Sequence, residues 1–140
     1  MGTIVGIKTI KNYQQIWDEA VKKGYAAVEV AKVVPMVVQE HQNMLNDNSP
    51  VVKSWNVEGG CCGFAWISIR PASKAGRNDC PFVKWLRTKG IGRFDDYEKS
   101  WSIWVSDFGQ SMQRKETYAD MVAAVLQENG IRAYSHSRMD

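Results

Sequence analysis

The run GFAWISIRP at residues 63–71 is the feature that most constrains how this chain can fold. The even-numbered positions from 64 to 68 and the odd-numbered positions from 65 to 69 are both largely apolar. A strand that is apolar on both faces belongs in the middle of a sheet that helices cover on at least one side. The apolar character stops at Arg70-Pro71, where a basic loop begins.

A long first helix is predicted over about residues 12–32. Asn12 and Gln15 have capping-box spacing, and apolar or small residues then recur with helical periodicity. The small members of this stripe are Ala20, Gly24, Ala27 and Ala31. Small side chains let another backbone approach closely, either the protein's own sheet or a second copy of the chain. Together with six tryptophans, the stripe favours a homo-oligomer.

Two further helices are predicted in the second half of the chain. Asp79 is the expected N-cap of the second helix, with Pro81 in its first turn and Gly90 at its end. Ser111 is the expected N-cap of the third helix, and Gly130 ends it. Both segments carry apolar residues at helical spacing, so each is expected to bury one face.

The remaining apolar segments indicate strands, which lie at residues 36–39, 51–57, 101–106 and 131–135. The Gly-Gly turn after residue 57 predicts a hairpin between residues 51–57 and 63–69. The chain is therefore predicted to be one α+β domain over residues 1–140, with a mixed α/β core at 35–140. We expect a two-layer sandwich in which three helices pack on a mixed sheet of about five strands.

Enzyme and metal chemistry receive little support from the sequence. Cys61 or Cys62, presented by the glycine-rich turn, would need His41 or His136 as a base, and the alternative is a tight turn with two small buried thiols. Adding Cys80 to these residues gives no metal-binding spacing such as CxxC. We therefore predict no catalytic residue, no metal and no cofactor.

Two polar loops could line a site but have simpler explanations. Residues 107–111 (DFGQS) precede the third helix and are expected to serve as its cap. Asp95, Asp96 and Glu98 could act as acids or bases, but three charges in one loop are expected to be solvated.

Positive charge is concentrated in residues 70–93. This segment holds seven Lys and Arg against one Asp, whereas residues 1–69 are neutral overall and residues 94–140 carry a net charge of −3. Guanidinium groups pair with phosphate oxygens, and tryptophan rings stack on bases. The segment predicts a site for a phosphate-bearing ligand at Arg70, Lys74, Arg77, Arg93, Trp66 and Trp104. The alternative is a solvated helix face.

Four segments resemble a family of small proteins, without assigned function, that tailed bacteriophages and prophages encode. They are residues 63–71 (GFAWISIRP), 84–86 (KWL), 102–116 (SIWVSDFGQSMQRKE) and 133–140 (AYSHSRMD). The resemblance covers about residues 33–140. It departs in a longer loop at 72–80 and at Glu98-Lys99-Ser100, where the family has a Gly-Gly turn. It implies a phage accessory protein in the host bacterial cytoplasm and carries over no catalytic residues.

These observations predict a non-enzymatic phage protein that binds a small phosphate-bearing ligand, such as a nucleotide signal of host defence. One alternative is an inhibitor that binds host nucleic acid or protein through the surface at 70–93, and another is a structural component of the virion. No apolar run approaches the roughly 20 residues of a membrane-spanning helix, so no membrane partner is predicted.

Overall fold

The structure is a computed structural model that describes residues 12–31, 36–41, 51–57 and 62–140. Its helices are α1 (Tyr13–Val30), α2 (Pro81–Lys89) and α3 (Met112–Glu128). Its strands are β1 (Met36–His41), β2 (Val51–Val57), β3 (Gly63–Arg70), β4 (Arg93–Asp95), β5 (Ser100–Trp104) and β6 (Arg132–Met139). Within these ranges, no helix is both long and apolar enough to cross a membrane.

The main sheet has the strand order β4-β5-β3-β6, and every neighbouring pair is antiparallel. From β3 onward the chain runs β-α-β-β-α-β, which is the split β-α-β arrangement. The predicted α+β class is confirmed, although this sheet has four antiparallel strands where a mixed sheet of about five was expected. The central position predicted for β3 is also found.

The predicted hairpin between residues 51–57 and 63–69 is wrong. β2 pairs with β1 in a separate two-stranded antiparallel sheet. A strand has two hydrogen-bonding edges, and those of β3 are taken by β5 and β6. β2 therefore has no place beside β3.

One face of the main sheet forms the hydrophobic core with the helices. Ala65, Ile67 and Ile69 of β3 are fully buried there, and Trp101 of β5 lies directly opposite Ile69. All three helices contribute to this cluster through Ile16, Ala20, Phe82, Val83, Leu86, Ala119, Val122, Ala123, Val125 and Leu126. The opposite face of the sheet is left for other contacts.

The small residues of α1 serve packing within the chain. Ala20 and Gly24 are buried, and a Cβ atom built on Gly24 would lie 2.7 Å from the Tyr118 ring and 3.0 Å from Val122. The stripe thus brings α1 close to α3 of the same molecule. Ala27 and Ala31 of the stripe are only half-buried, and the homo-oligomer remains a prediction.

The helix boundaries agree with the sequence except at the start of α2. The capping box of Asn12 and Gln15 is present, and the Ser111 side chain accepts a hydrogen bond from the Arg114 N–H. The N-cap of α2 is Cys80, because the Asp79 carboxylate turns toward Arg87 instead. A charged partner outcompetes the helix amides for this carboxylate.

Two features of the strands were not predicted. The short strand β4 follows Gly92, whose φ of +79° is in the left-handed region, and a Cβ atom there would lie 2.6 Å from Trp101 Nε1. β6 extends to Met139 because it pairs with β3 along all eight residues.

Candidate functional site

Three flat side chains stand next to one another on the sheet face that is opposite the helices. The register places Trp66 of β3 directly beside Trp104 of β5 and His136 of β6. The two indole rings are 4.7 Å apart with an interplanar angle of 21°, and the imidazole is 5.5 Å from the Trp66 ring at 19°. These spacings resemble the roughly 4.8 Å between neighbouring strands, so the rings form one stack across three strands. We call Trp104, Trp66 and His136 the ring stack.

The arrangement of the ring stack determines which tryptophan ring a nucleic-acid base could stack on. Both faces of the Trp66 ring are covered, one by Trp104 and the other by His136. Trp104 has Trp66 on one face, and its other face is directed toward β4. Phe64 meets Trp104 at a steep angle of 73° and therefore does not complete the stack. A planar ligand would have to stack on the outer face of Trp104.

A notch lies beside that outer face because β4 is short. β4 pairs with β5 only as far as Ser102, so Ile103 and Trp104 extend beyond it. Two shallow cavities of about 320 and 260 Å³ lie here, and Arg93 and Trp104 line both. Arg93 lies directly opposite Ser102, on the same face as Trp104, and it is exposed. Within the described residues Arg93 forms no ion pair and no stacking contact, although Asp95 and Asp96 line the smaller cavity with it.

Buried hydroxyl groups lie next to the notch. Ser100 and Ser102 are at most 1% exposed, and neither side-chain oxygen has a hydrogen-bond partner in the described part of the chain. Leaving a buried hydroxyl unsatisfied costs about 1–3 kcal/mol. Ser102 also lines the larger cavity, although its hydroxyl oxygen is itself buried.

Glu98 occupies the part of the same face that adjoins the ring stack. The Trp66 indole N–H donates to Glu98 Oε1 at 3.1 Å, and Arg70 Nη2 donates to the Glu98 backbone oxygen at 3.0 Å. Glu98 Oε2 is 4.0 Å from Arg70 Nη2 and 3.9 Å from His136 Nε2. Its side chain is only 20% exposed. The prediction that Glu98 is a solvated loop charge is therefore wrong, because the turn folds its side chain back onto the sheet.

Ser68, His136 and Glu98 superficially resemble a catalytic triad, but their geometry differs from one. Ser68 Oγ lies 2.8 Å from His136 Nε2, and the Glu98 carboxylate approaches that same nitrogen. A triad uses the two different imidazole nitrogens for the serine and the carboxylate. Ser68 is also fully buried, so its hydroxyl is out of reach of a substrate.

Two basic side chains of residues 70–93 form ion pairs with acidic side chains. Lys74 Nζ is 3.7 Å from Asp96, and both side chains are well exposed. Arg87 Nε is 2.9 Å from the buried Asp79 carboxylate, and the Arg87 guanidinium lies 4.6 Å from the centre of the Trp101 ring. Arg87 thus holds the loop at 71–80 and is not available to a ligand.

The predicted site residues fall into three groups. Arg93 and Trp104 share the notch, whereas Arg70 and Trp66 meet at Glu98. Lys74 and Arg77 lie in the exposed loop at 71–80, and no described contact joins them to the ring stack.

Sequence reasoning missed three contributors to this face: His136 as a ring partner, Glu98 as an acceptor and Ser102 as a buried hydroxyl. The alternation of residues 132–139 would have indicated that His136 shares a face with Tyr134 and Arg138. Only the strand order places that face beside Trp66, because β6 and β3 are distant in the sequence.

The other candidate chemistries gain no support. No group of three metal-binding side chains occurs among the residues that the structure describes. Cys62 is exposed and Cys80 half-buried, while Cys61 and the His41 side chain fall outside the described residues. The structure therefore adds nothing to the thiol or metal hypotheses.

The segment at 107–111 has a structural role beside α1 and α3. The Tyr25 hydroxyl donates to the Asp107 carboxylate, and the Phe108 ring packs against both Tyr25 and Tyr118. The hydrogen bond to Asp107 raises the pKa of Tyr25. Burial, and then the charges of Tyr25 and Asp107, raises the pKa of Tyr118 to about 12.

No protein-family model matches the chain, and neither a curated protein nor a solved structure shows significant similarity to it.

Proposed function

We propose that this protein binds a nucleoside phosphate in the notch between Trp104 and Arg93, without catalysing a reaction. The observation that carries the proposal is that Trp104 and Arg93 both line two neighbouring cavities, and that within the described part of the chain no ring stacks on the outer face of Trp104 and no carboxylate pairs with Arg93. The base would stack on the outer face of Trp104, and the phosphate would accept hydrogen bonds from Arg93.

The free energies expected for these contacts correspond to a moderate affinity. Stacking of a base on an aromatic side chain contributes about 1–3 kcal/mol. A hydrogen bond to a charged group contributes about 1.5–3 kcal/mol. The close approach of the Gly92 backbone to Trp101 and Ser102 fixes the backbone at the start of β4, from which the Arg93 side chain extends.

The nucleoside phosphate could be a free nucleotide or one unit of a single-stranded nucleic acid. Pockets that enclose small ligands have volumes of about 300–1,000 Å³ and bury most of the ligand. The notch lies at the lower end of this range and is shallow, which favours a strand that runs on across the sheet. RNA-recognition motifs offer an analogy, because their aromatic residues stack bases on a four-stranded sheet.

A free nucleotide fits the phage resemblance of residues 33–140 better. In that version the protein is a phage accessory protein that withholds a nucleotide signal from its host. Both versions use the same base and phosphate contacts at Trp104 and Arg93.

Calorimetry with purified protein tests the proposal. One panel contains cyclic nucleotides and ADP-ribose derivatives, and a second contains short single-stranded DNA and RNA. Binding to a strand should weaken with salt, with a slope of roughly −0.7 for each phosphate that is neutralised. Tight binding to one small nucleotide, with no preference for strands, would instead identify the free form.

Matched variants locate the binding site. Arg93→Ala and Trp104→Leu should each weaken binding about tenfold, which corresponds to about 1.4 kcal/mol. Lys84→Ala removes the same charge from an exposed position of α2, and Trp85→Leu removes an indole from the helix side. Both controls should bind within about twofold of the wild type, since neither lies at the notch. Equal losses in Arg93→Ala and Lys84→Ala, or flat traces across both panels, would refute the proposal.

A further inference from the structure

The side chains around Glu98 form a second candidate anion site on the same face of the sheet. Trp66 and Arg70 bring N–H donors toward its carboxylate, and His136 adds a ring nitrogen. Ser68 lies behind His136, at 2.8 Å from the same ring nitrogen. These elements are distant in sequence, and the order of β3, β5 and β6 brings them together.

The Glu98 carboxylate does not form a hydrogen bond with every side chain of this group. Among the residues that the structure describes, only the Trp66 indole N–H makes a normal hydrogen bond to it, at 3.1 Å. Arg70 and His136 remain 4.0 and 3.9 Å away, well beyond the roughly 2.7–2.9 Å of a charge-assisted hydrogen bond. A phosphate group has more acceptor oxygens than a carboxylate, so it could accept from Arg70 N–H groups that the Glu98 carboxylate leaves unused, whereas His136 Nε2 already lies at hydrogen-bond distance from Ser68 Oγ.

The local structure allows the Glu98 side chain to leave without unfolding the turn. Asp95 Oδ1 accepts from the backbone N–H groups of Tyr97 and Glu98, and the Lys99 N–H donates to the Asp95 backbone oxygen at 2.8 Å. Arg70 holds the Glu98 backbone oxygen rather than depending on its carboxylate. Rotation of one side chain is enough to vacate the position.

We propose that Trp66, Arg70 and His136 form a phosphate subsite that the Glu98 carboxylate occupies in the absence of ligand. A ligand phosphate displaces the carboxylate and takes its place against the three side chains. Glu98 thus competes with the ligand for these side chains, and the competition lowers the affinity of this face for phosphate. The inference deepens the proposed function, because it adds a second phosphate position next to the Trp104 notch.

Inorganic phosphate tests this subsite independently of any nucleotide. The measurement is an NMR titration that follows the Trp66 indole N–H resonance, which Trp66→Phe assigns. Glu98→Gln keeps an oxygen acceptor for Trp66 but removes the negative charge. We expect phosphate to shift this resonance in Glu98→Gln with an affinity about tenfold higher than in the wild type, because juxtaposed like charges repel strongly.

Two further variants separate the competitor role from a general charge effect. Glu128→Gln makes the same charge change at the exposed C-terminal end of α3, on the helix side of the sheet and away from the donor set. It should leave phosphate affinity within about twofold of the wild type, a difference of less than half a kcal/mol. Glu98→Gln combined with Arg70→Met should lose the gain, because the main cationic donor is gone.

The outcomes separate this inference from the proposed function. An equal gain in Glu128→Gln, a gain that survives Arg70→Met, or a Trp66 resonance that never responds to phosphate would each overturn the subsite. If phosphate shifts the Trp66 resonance as expected while Arg93→Ala and Trp104→Leu leave nucleotide binding unchanged, the subsite stands and the notch proposal fails.

Discussion

Replacing Asp79 by Ala should destabilise the protein strongly, although Asp79 belongs to a surface loop by sequence. Its carboxylate is 1% exposed and accepts hydrogen bonds from the Arg87 guanidinium and from the Ser73 backbone N–H, both at 2.9 Å. Arg87 also donates to the Ser73 backbone oxygen. Asp79→Ala therefore removes the centre of a network that joins the loop at 71–80 to α2.

The magnitude follows from the burial of the two partners. Removing one member of a fully buried ion pair costs about 3–5 kcal/mol. The Arg87 side chain is 36% exposed and can be rehydrated, so we expect a smaller loss of about 2–3 kcal/mol in the free energy of unfolding. At this chain length, each kcal/mol shifts the melting temperature by roughly 4 °C, which gives a decrease of about 10 °C.

Urea unfolding of Asp79→Ala, Arg87→Met and the double variant measures the coupling between the two side chains. The double-mutant cycle should give an interaction of more than about 1 kcal/mol. A loss below about 0.5 kcal/mol for Asp79→Ala, the range of ordinary surface substitutions, would refute the network. Arg87→Met should also leave nucleotide affinity unchanged at temperatures where it is folded. A loss equal to that of Arg93→Ala would show that Arg87 belongs to the binding surface after all.

Two other predictions concern the packing of α1 on α3. Gly24→Ala should lower the free energy of unfolding by about 1 kcal/mol: the gain of about 1 kcal/mol in helix propensity is outweighed by overpacking against Tyr118, which costs about 1–3 kcal/mol. Increased stability in thermal melts would contradict this packing. Tyr118, whose pKa rises from 10.0 to about 12, holds its proton more tightly in the folded state. Its contribution to stability is therefore present below pH 10 and lost between pH 10 and 12, so Tyr118→Phe should flatten the loss of stability in that window. Parallel pH profiles for the two proteins would argue against the raised pKa.

The local elements could be predicted from the sequence because local patterns determine them. The apolar content of β3 identified it as a central strand, and the Asn12–Gln15 pair marked the start of α1. These signals depend on residues that are close in the sequence. The pairing of residues 51–57 was predicted wrongly because distant segments compete to pair with a strand. A glycine-rich turn is only one of the contributions that determine which segment pairs.

The candidate site could be predicted only in part, for a related reason. The basic residues and tryptophans were visible in the sequence, and Trp104 does lie beside Arg93. The roles of Asp79 and Glu98 were not visible, because each depends on a cation that the fold brings near it. The net charge of a segment therefore overestimates its free charge when its acidic partners lie outside the segment or are buried within it.

The ring stack has a consequence for the entropy of binding. Ordering a flexible side chain at an interface costs about 0.5–1.5 kcal/mol. Trp104 is already held upright by Trp66, which is itself held by His136 on its other side and by Glu98 through its indole N–H. A base that arrives at Trp104 therefore meets a surface whose rotamer freedom was lost when the protein folded. Folding has therefore already ordered the Trp104 side chain, and the conformational entropy that remains to be lost on binding is that of Arg93.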